Sequence, residues 1–245
     1  MPAAEETFRP ELFRDRNVLV VGGTGGIGGA VAEEFARAGA RVVAAGLPAA
    51  DPAPGATGIT EVDLDLTRPG DLETLITGQD RLDVLVNAAG MIKRLDEYRP
   101  EVFAQVLEVN LTGTMRGCVA AHPLLAASGG SIVNVASMWS YFGGPLVPGY
   151  TASKGGVAQL TKALAVRYAT DGVRVNAVAP GWIRTEMTAA IRQDPEAERR
   201  ILDRTPQARW GTPRDVAQVV TFLASPAAGF ITGAVLPVDG GYSVA

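Results

Sequence analysis

A chain of 245 residues with 47% hydrophobic residues and 29 glycines suits one packed α/β domain and does not suit disorder. Its formal net charge of −4, with no long run of one sign, offers no footprint for nucleic acid or an anionic membrane surface, and no apolar run reaches the ~18 residues of a membrane span. One cysteine (Cys118) and one histidine (His122) exclude an internal disulfide and a multi-histidine metal site, so acid–base chemistry falls to Tyr, Lys or carboxylates.

The acidic, polar start "MPAAEETFRPELF" is unlike a secretory signal, and with the lone cysteine it predicts a cytoplasmic protein. Apolar runs then recur as "NVLVVG" (17–22), "RVVAAG" (41–46), "GITEVDL" (58–64), "LDVLVNAAG" (82–90), "GSIVNVAS" (130–137), "VRVNAVAPG" (173–181) and "AVLPVDGG" (234–241). They are rich in Val, Ile and Leu without clean alternation, which is what parallel strands covered on both faces require. Helical patterns separate them at 26–38, about 69–77, about 99–127, about 150–170 and 213–225. This order predicts a single doubly wound α/β domain spanning 1–245, with a seven-stranded parallel sheet and helices on both faces. The Pro- and Gly-rich stretch 46–58 reads as loop, and the charged segment 182–211, which breaks the rhythm, reads as a lid over a site.

The first strand leads into "VVGGTGGIGGAVAEEFARAGARVV". Gly23, Gly25 and Gly28 fit G-x-G-x-x-G, and Gly22, Gly26 and Gly28 fit G-x-x-x-G-x-G. In either register, residues without Cβ atoms let the turn through Thr24 and Ile27 approach a pyrophosphate at the helix N-terminus. Between a strand and an amphipathic helix this is a dinucleotide-binding signal. The usual selector at the end of the second strand is missing. Gly46-Leu47-Pro48 supplies neither an acid for ribose hydroxyls nor an arginine for a 2′-phosphate, and Asp51 is the nearest substitute. With no basic residue at Thr24, Gly25 or Leu47, NAD is favoured slightly over NADP.

In "VPGYTASKGGV", Tyr150 and Lys154 stand one helical turn apart, where an ammonium can lower the pKa of a phenol. With the glycine turn, "VDLDLT" (Asp65, Leu66), Asn87-Ala88-Ala89-Gly90, "LEVNLTG" (Asn110), "NVASMWS" (Ser137, thirteen residues before Tyr150) and "VAPGWIRTEM" (Pro180, Gly181, Ile183, Thr185), the chain resembles the short-chain dehydrogenase/reductase family from about residue 15 onward. It departs in having Val21 for a usual threonine and Ala88 for a usual asparagine. The interval from Gly39 to Asp65 is also too short for the helix that family places there, and the helix between Asp65 and Asn87 is short.

The resemblance implies oxidoreduction of a secondary alcohol or ketone with a nicotinamide cofactor. Tyr150 would be the general acid or base, Lys154 its tuner and the holder of the nicotinamide ribose, Ser137 the partner of the substrate oxygen, and Asn110 the anchor of a proton-relay water. Asp65 would meet adenine, and the segment from Pro180 to Thr185 would cover the nicotinamide. The family likeness also implies a homotetramer. "AAGMIKR", "NVASMWSYFGGPLVPGYTASKGGV" and "ILDRTPQARWGTP" are similar to the branch of 2-deoxygluconate, 2-dehydro-3-deoxygluconate and gluconate 5-dehydrogenases, which points to a sugar acid bound near Lys93, Arg94, Met138, Trp182 and Arg209. A 3-oxoacyl thioester or other ketone reductase is the alternative substrate class. A non-catalytic regulator would have eroded Ser137, Tyr150 or Lys154, and an epimerase needs a larger C-terminal region. Cys118 and His122 read as helix packing.

Overall fold

The computed structural model describes residues 7–48 and 57–245; Asp51 lies outside them. All seven apolar runs are strands: β1 (Asn17–Val21), β2 (Arg41–Gly46), β3 (Ile59–Asp63), β4 (Val84–Asn87), β5 (Ser131–Val135), β6 (Arg174–Pro180) and β7 (Val235–Val238). They form one parallel sheet in the order β3-β2-β1-β4-β5-β6-β7. The reversal of direction after β1 makes its junction with β4 the switch point, where ligands bind at strand carboxyl ends.

Two cores flank the sheet. Val18, Val20, Val84, Val86 and Val133 cluster with Val31 and Phe35 of α1 (Gly26–Arg37) and with Val216 and Val220 of α8 (Pro213–Ala224). The intervening Leu19, Val21, Leu85 and Ile132 cluster instead with Leu72 and Ile76 of α2 (Asp71–Thr77), Leu125 of α4 (Gly113–Ser128) and Leu164 of α5 (Pro148–Tyr168). Period-two alternation is present, but both faces are apolar, so the strands read as continuous hydrophobic runs. No helix among the described residues is long and apolar enough to cross a membrane.

The expected helix 99–127 is interrupted. α3 (Pro100–Leu107) passes through a π-helical turn at Glu108–Thr112 before α4 begins. The wider turn holds Asn110, whose carbonyl also accepts the Thr114 hydroxyl at 2.8 Å. Such turns cost backbone regularity and concentrate at functional sites.

Between β2 and β3 the described residues hold no helix, and the edge strand shows the consequence: Thr60, Glu61 and Asp63 are exposed. A strand face without a covering helix stays in water and takes polar side chains, whose charges also discourage edge-to-edge pairing. The segment 182–211 contains α6 (Ala189–Arg192) and α7 (Pro195–Arg204). Its ends are pinned together by a bridge between Ile183 and Gly211, with Gly211 N donating to Trp182 O at 2.9 Å.

Candidate active site

The glycine turn lies in backbone contact with the end of β4. Gly22 has φ +81°, and a Cβ there would fall 2.4 Å from the Ala89 nitrogen. A Cβ on Gly28 would fall 2.0 Å from the Gly22 carbonyl oxygen. Both positions therefore exclude every other residue. At the helix start the requirement is different: Gly25, the N-cap of α1, makes no side-chain cap, the first turn carries no acid, and a Cβ on Gly25 would meet nothing within 4 Å. Gly26, at φ +55°, faces the Thr185 methyl, 3.7 Å from where a Cβ would sit. An uncapped positive helix end beneath an open glycine face fits a dinucleotide pyrophosphate.

The adenosine end is sterically fixed. The Thr24 hydroxyl donates to the Leu47 carbonyl at 2.7 Å and stands 2.7 Å from where a Cβ on Gly46 would be. Thr24 thus occupies the room that an acidic selector would need. The Asp65 carboxylate accepts from the Thr67 amide at 2.9 Å and hydroxyl at 2.7 Å, which hold it below the usual carboxylate range. Leu66 is buried beside it, its carbonyl taken by Arg116 at 2.7 Å.

The four residues expected to act together converge at the ends of β4 and β5. Asn110 is fully buried; it accepts from Met91 N at 2.7 Å and donates to Met91 O at 2.9 Å and Ser153 Oγ at 3.0 Å. Ser153 in turn donates to Tyr150 O at 2.7 Å. Both amide ends of Asn110 are thus bonded to protein, leaving a lone pair on Oδ1 for the relay water expected from the sequence.

Lys154 is 2% exposed, and its ammonium donates to the Val135 carbonyl at 2.7 Å. Burial lowers its pKa to about 8. A lysine carries three donors and the described residues take one, so a ligand with vicinal hydroxyls, such as a ribose, fits its remaining donors. A Cβ on Gly90 would lie 3.7 Å from Nζ and 3.9 Å from Asn110 Oδ1, so Gly90 keeps this corner open. Ser137 accepts from Trp139 N at 3.2 Å, which leaves its hydroxyl proton to donate.

The expected lowering of the Tyr150 pKa by Lys154 is overridden. Nζ lies 5.7 Å from the ring centroid and is bonded elsewhere. Burial raises the phenol, Ser137 pulls it down and the Glu97 charge raises it again, leaving it at about 12.

The remaining residues singled out in the sequence are placed as follows. The Asn87 side chain donates to Asn134 Oδ1 at 2.9 Å and contacts Cys118 Sγ at 3.4 Å, so it braces β4 against β5 and α4. Ala88 and Ala89 remain at the glycine turn, as Gly22 shows. Arg209 is bidentate with Asp215 at 2.9 and 3.1 Å, so its charge is already cancelled. Met138 is buried, while Trp182 stacks edge-on to Trp139, Trp210 and Tyr242. Ile183 is buried in the core; Gly181 packs where a Cβ would meet Asp239 Cβ at 2.6 Å, and its neighbour Pro180 ends β6. Lys93 and Arg94 are exposed, and Arg94 holds φ +43°, a strained value for a residue other than glycine. Cys118 is buried, its thiol pushed up to about 12 by desolvation, and His122 bonds Asp171 at 2.9 Å.

Glu97 is the residue that sequence reasoning missed. It is 1% exposed and accepts from Lys93 N at 2.7 Å and Tyr150 N at 2.8 Å. It therefore joins the Lys93–Arg94 turn to the first turn of α5, where a carboxylate also complements the helix dipole.

A family model described as enoyl-(acyl carrier protein) reductase matches residues 22–243. The 2-dehydro-3-deoxy-D-gluconate 5-dehydrogenase of Bacillus subtilis (strain 168) is 37% identical over 242 residues, 94% of this chain and 95% of that protein. The galactitol 2-dehydrogenase (L-tagatose-forming) of Cereibacter sphaeroides is 39% identical over 245 residues, 92% of this chain and 94% of its own. A solved structure from Agrobacterium tumefaciens, provisionally named 2-deoxy-D-gluconate 3-dehydrogenase and holding NADP, superposes with a TM-score of 0.88 at 38% identity, covering 97% of this chain and 100% of that one.

The Glu97 contact yields a signed expectation. Its negative charge favours the protonated phenol, so Glu97→Gln lowers the Tyr150 pKa while keeping an acceptor for one of the two amides. In pH–rate profiles for oxidation of a secondary alcohol, the rising limb should move to lower pH in this variant. A limb that stays in place, or moves to higher pH, removes Glu97 as a determinant of Tyr150.

Proposed function

The chain belongs to the short-chain dehydrogenase/reductase family, and we propose that it moves a hydride between a nicotinamide cofactor and a sugar acid, at a secondary alcohol or ketone, with Tyr150 as general acid and base. The observation that carries this reading is the convergence of Ser137, Tyr150 and a buried Lys154 whose ammonium has one partner among the described residues. The nicotinamide, when bound, supplies or takes up the hydride. Residues suited to hold the dinucleotide are the glycine turn from Gly22 to Gly28, Asp65 and Leu66, the backbone from Asn87 to Gly90, Lys154, and Pro180 to Thr185.

In reduction, Tyr150 is protonated at neutral pH and gives its proton to the substrate oxygen, while the Ser137 hydroxyl donates to the same oxygen and Lys154 steadies the resulting phenolate. In oxidation the phenolate is the base, so turnover in that direction should climb as pH rises toward the Tyr150 pKa of about 12. Tyr150→Phe keeps the ring and removes the proton; turnover should drop by at least ~100-fold while cofactor binding survives. Near-normal turnover in this variant would refute the assignment.

The sugar-acid class is supported by the gluconate-type names of the B. subtilis and A. tumefaciens relatives and by the exposed cations Lys93 and Arg94 on the turn that Glu97 fastens to α5; the galactitol dehydrogenase, named for a neutral polyol, is the counterweight. Residues 182–211 serve in this reading as the lid, a loop closed at its base by Ile183 and Gly211.

For the cofactor we favour NAD. Thr24 fills the selector position, Leu47 is exposed, and the stretch 46–58 contains no basic residue to pair with a 2′-phosphate. The A. tumefaciens structure with NADP is the counterweight. Fluorescence titration should give a lower Kd for NADH than for NADPH, and the reverse order overturns the preference.

The assembly we propose is a homotetramer. Met115, Val119 and Val166 on α4 and α5, and Phe230, Leu236 and Val244 toward the C-terminus, are exposed apolar side chains that a closed two-fold arrangement would cover. Light scattering at micromolar concentration should report four chains; a stable monomer would count against this.

A further inference from the structure

We propose that Arg204, at the end of α7, is the lid cation that binds the carboxylate of the substrate. The inference rests on the sugar-acid reading above and adds the residue that enforces it.

The guanidinium of Arg204 lies 4.3 Å from the Tyr242 ring centroid and 5.4 Å from that of Phe142, and it donates to the Tyr242 hydroxyl at 3.4 Å. No carboxylate among the described residues pairs with it, whereas Arg200 pairs with Glu196 at 3.7 Å and Arg209 with Asp215; Arg184, Arg192 and Arg199 of the segment also lack a carboxylate, and Arg204 is set apart from them by its seat on two aromatic rings. Aromatic rings attract a guanidinium through its face, and with one N–H given to the Tyr242 hydroxyl its other in-plane donors remain for a ligand. A cation braced this way is held in place with its charge intact. An ion-paired arginine keeps its place and loses its net charge. The exposed N–H edge is what binds a carboxylate bidentately.

The bracing residues connect Arg204 to the reacting groups. Phe142 sits in the segment that begins at Ser137 and ends at Tyr150, after β5. Tyr242 is buried and meets Trp182 edge-on at 6.4 Å; Trp182 meets Trp139 at 6.3 Å; the Trp139 amide donates to Ser137 Oγ. An aromatic wall therefore runs from the serine to the lid arginine. Apolar faces suit the carbon chain of a polyhydroxy acid, and the cation suits its charged end.

The test compares an aldonate or keto-deoxy-aldonate with its uncharged polyol or ketose counterpart in wild type, Arg204→Gln and Arg204→Lys, with thermal midpoints measured for all three. A hydrogen-bonded charge contact is worth roughly 10–100-fold. In Arg204→Gln the ratio of kcat/KM for the acid to that for the neutral compound should fall by about that factor, mainly through KM, and Arg204→Lys should recover part of it. If the wild type prefers the acid and Arg204→Gln keeps that preference, the sugar-acid reading stands and Arg204 is not its cation. If the wild type shows no preference, that reading falls and this inference falls with it. Equal losses on both compounds with a lowered thermal midpoint in Arg204→Gln assign the arginine to pinning the C-terminal segment and overturn the proposal. Should Arg204→Gln not fold, Arg204→Lys decides alone, because a selective rise in KM for the acid is expected of the weaker point charge and an unchanged ratio refutes the contact.

Discussion

The site is organised around one costly placement: the Lys154 ammonium is buried, and among the described residues its one hydrogen-bond acceptor is the main-chain carbonyl of Val135. A buried charge is tolerated only when it is partnered, and one neutral acceptor is a poor substitute for water, which is why the pKa falls to about 8. The surrounding bonds hold the helix that carries it. Ser140 Oγ donates to the Lys154 carbonyl at 2.7 Å, Ser153 Oγ donates to the Tyr150 carbonyl, and Asn110 ties Ser153 to Met91 beyond β4. The ends of β4 and β5, the π-helical turn and the first turns of α5 are thereby locked into one arrangement. The unused donors of the ammonium then make ligand binding favourable at this corner, because a hydroxyl arriving there satisfies a group that the protein leaves short.

Much of this was legible in the sequence, and the reasons are local. The strands announce themselves because both faces are covered, and the glycine turn because Gly22 and Gly28 permit no Cβ. The π-helical turn was not legible, since its cause is Asn110 bonding to Met91, nineteen residues earlier in the chain. Glu97 was hidden in the charged run "KRLDEYRP", where one buried acid looks like its solvated neighbours. Two side-chain partnerships had a readable signal. Asn87 follows Leu85 by two residues, so strand parity already aimed it at α4, opposite its register partner Asn134. "GTPRD" carries the capping-box spacing that places Asp215 at the start of α8, within reach of Arg209.

The adenosine end shows how a shortened segment rewrites its surroundings. Among the described residues no helix lies between β2 and β3, and β3 has Glu61 and Asp63 in water. Thr24 reaches across to the Leu47 carbonyl and fills the room that a selector side chain would need. The features that fit a dinucleotide among the described residues are the uncapped glycine turn, the end of β4 packed against it, and the Lys154 ammonium.

Charge around the crevice is distributed by the same economy of partners. Glu97 and desolvation keep the proton on Tyr150, while Ser137 works against them. The balance is tilted toward an acid that is loaded at neutral pH and must be unloaded by the reaction itself. On the lid, Arg192 donates to the Thr185 carbonyl at 3.1 Å, Arg209 is cancelled by Asp215, and Arg204 rests on rings. A carbonyl or a ring fixes an arginine while leaving its full charge to act across the cleft, and a carboxylate does not. Two of the segment's cations without a carboxylate partner among the described residues are thus fixed: Arg192 at Thr185, which faces Gly26 of the glycine turn, and Arg204 at Tyr242, at the end of the aromatic wall. Both are positions where a ligand's negative charge would find a fixed counterpart, and the segment joining them is closed at its base by the Ile183–Gly211 bridge, so the two cations are carried by a single unit.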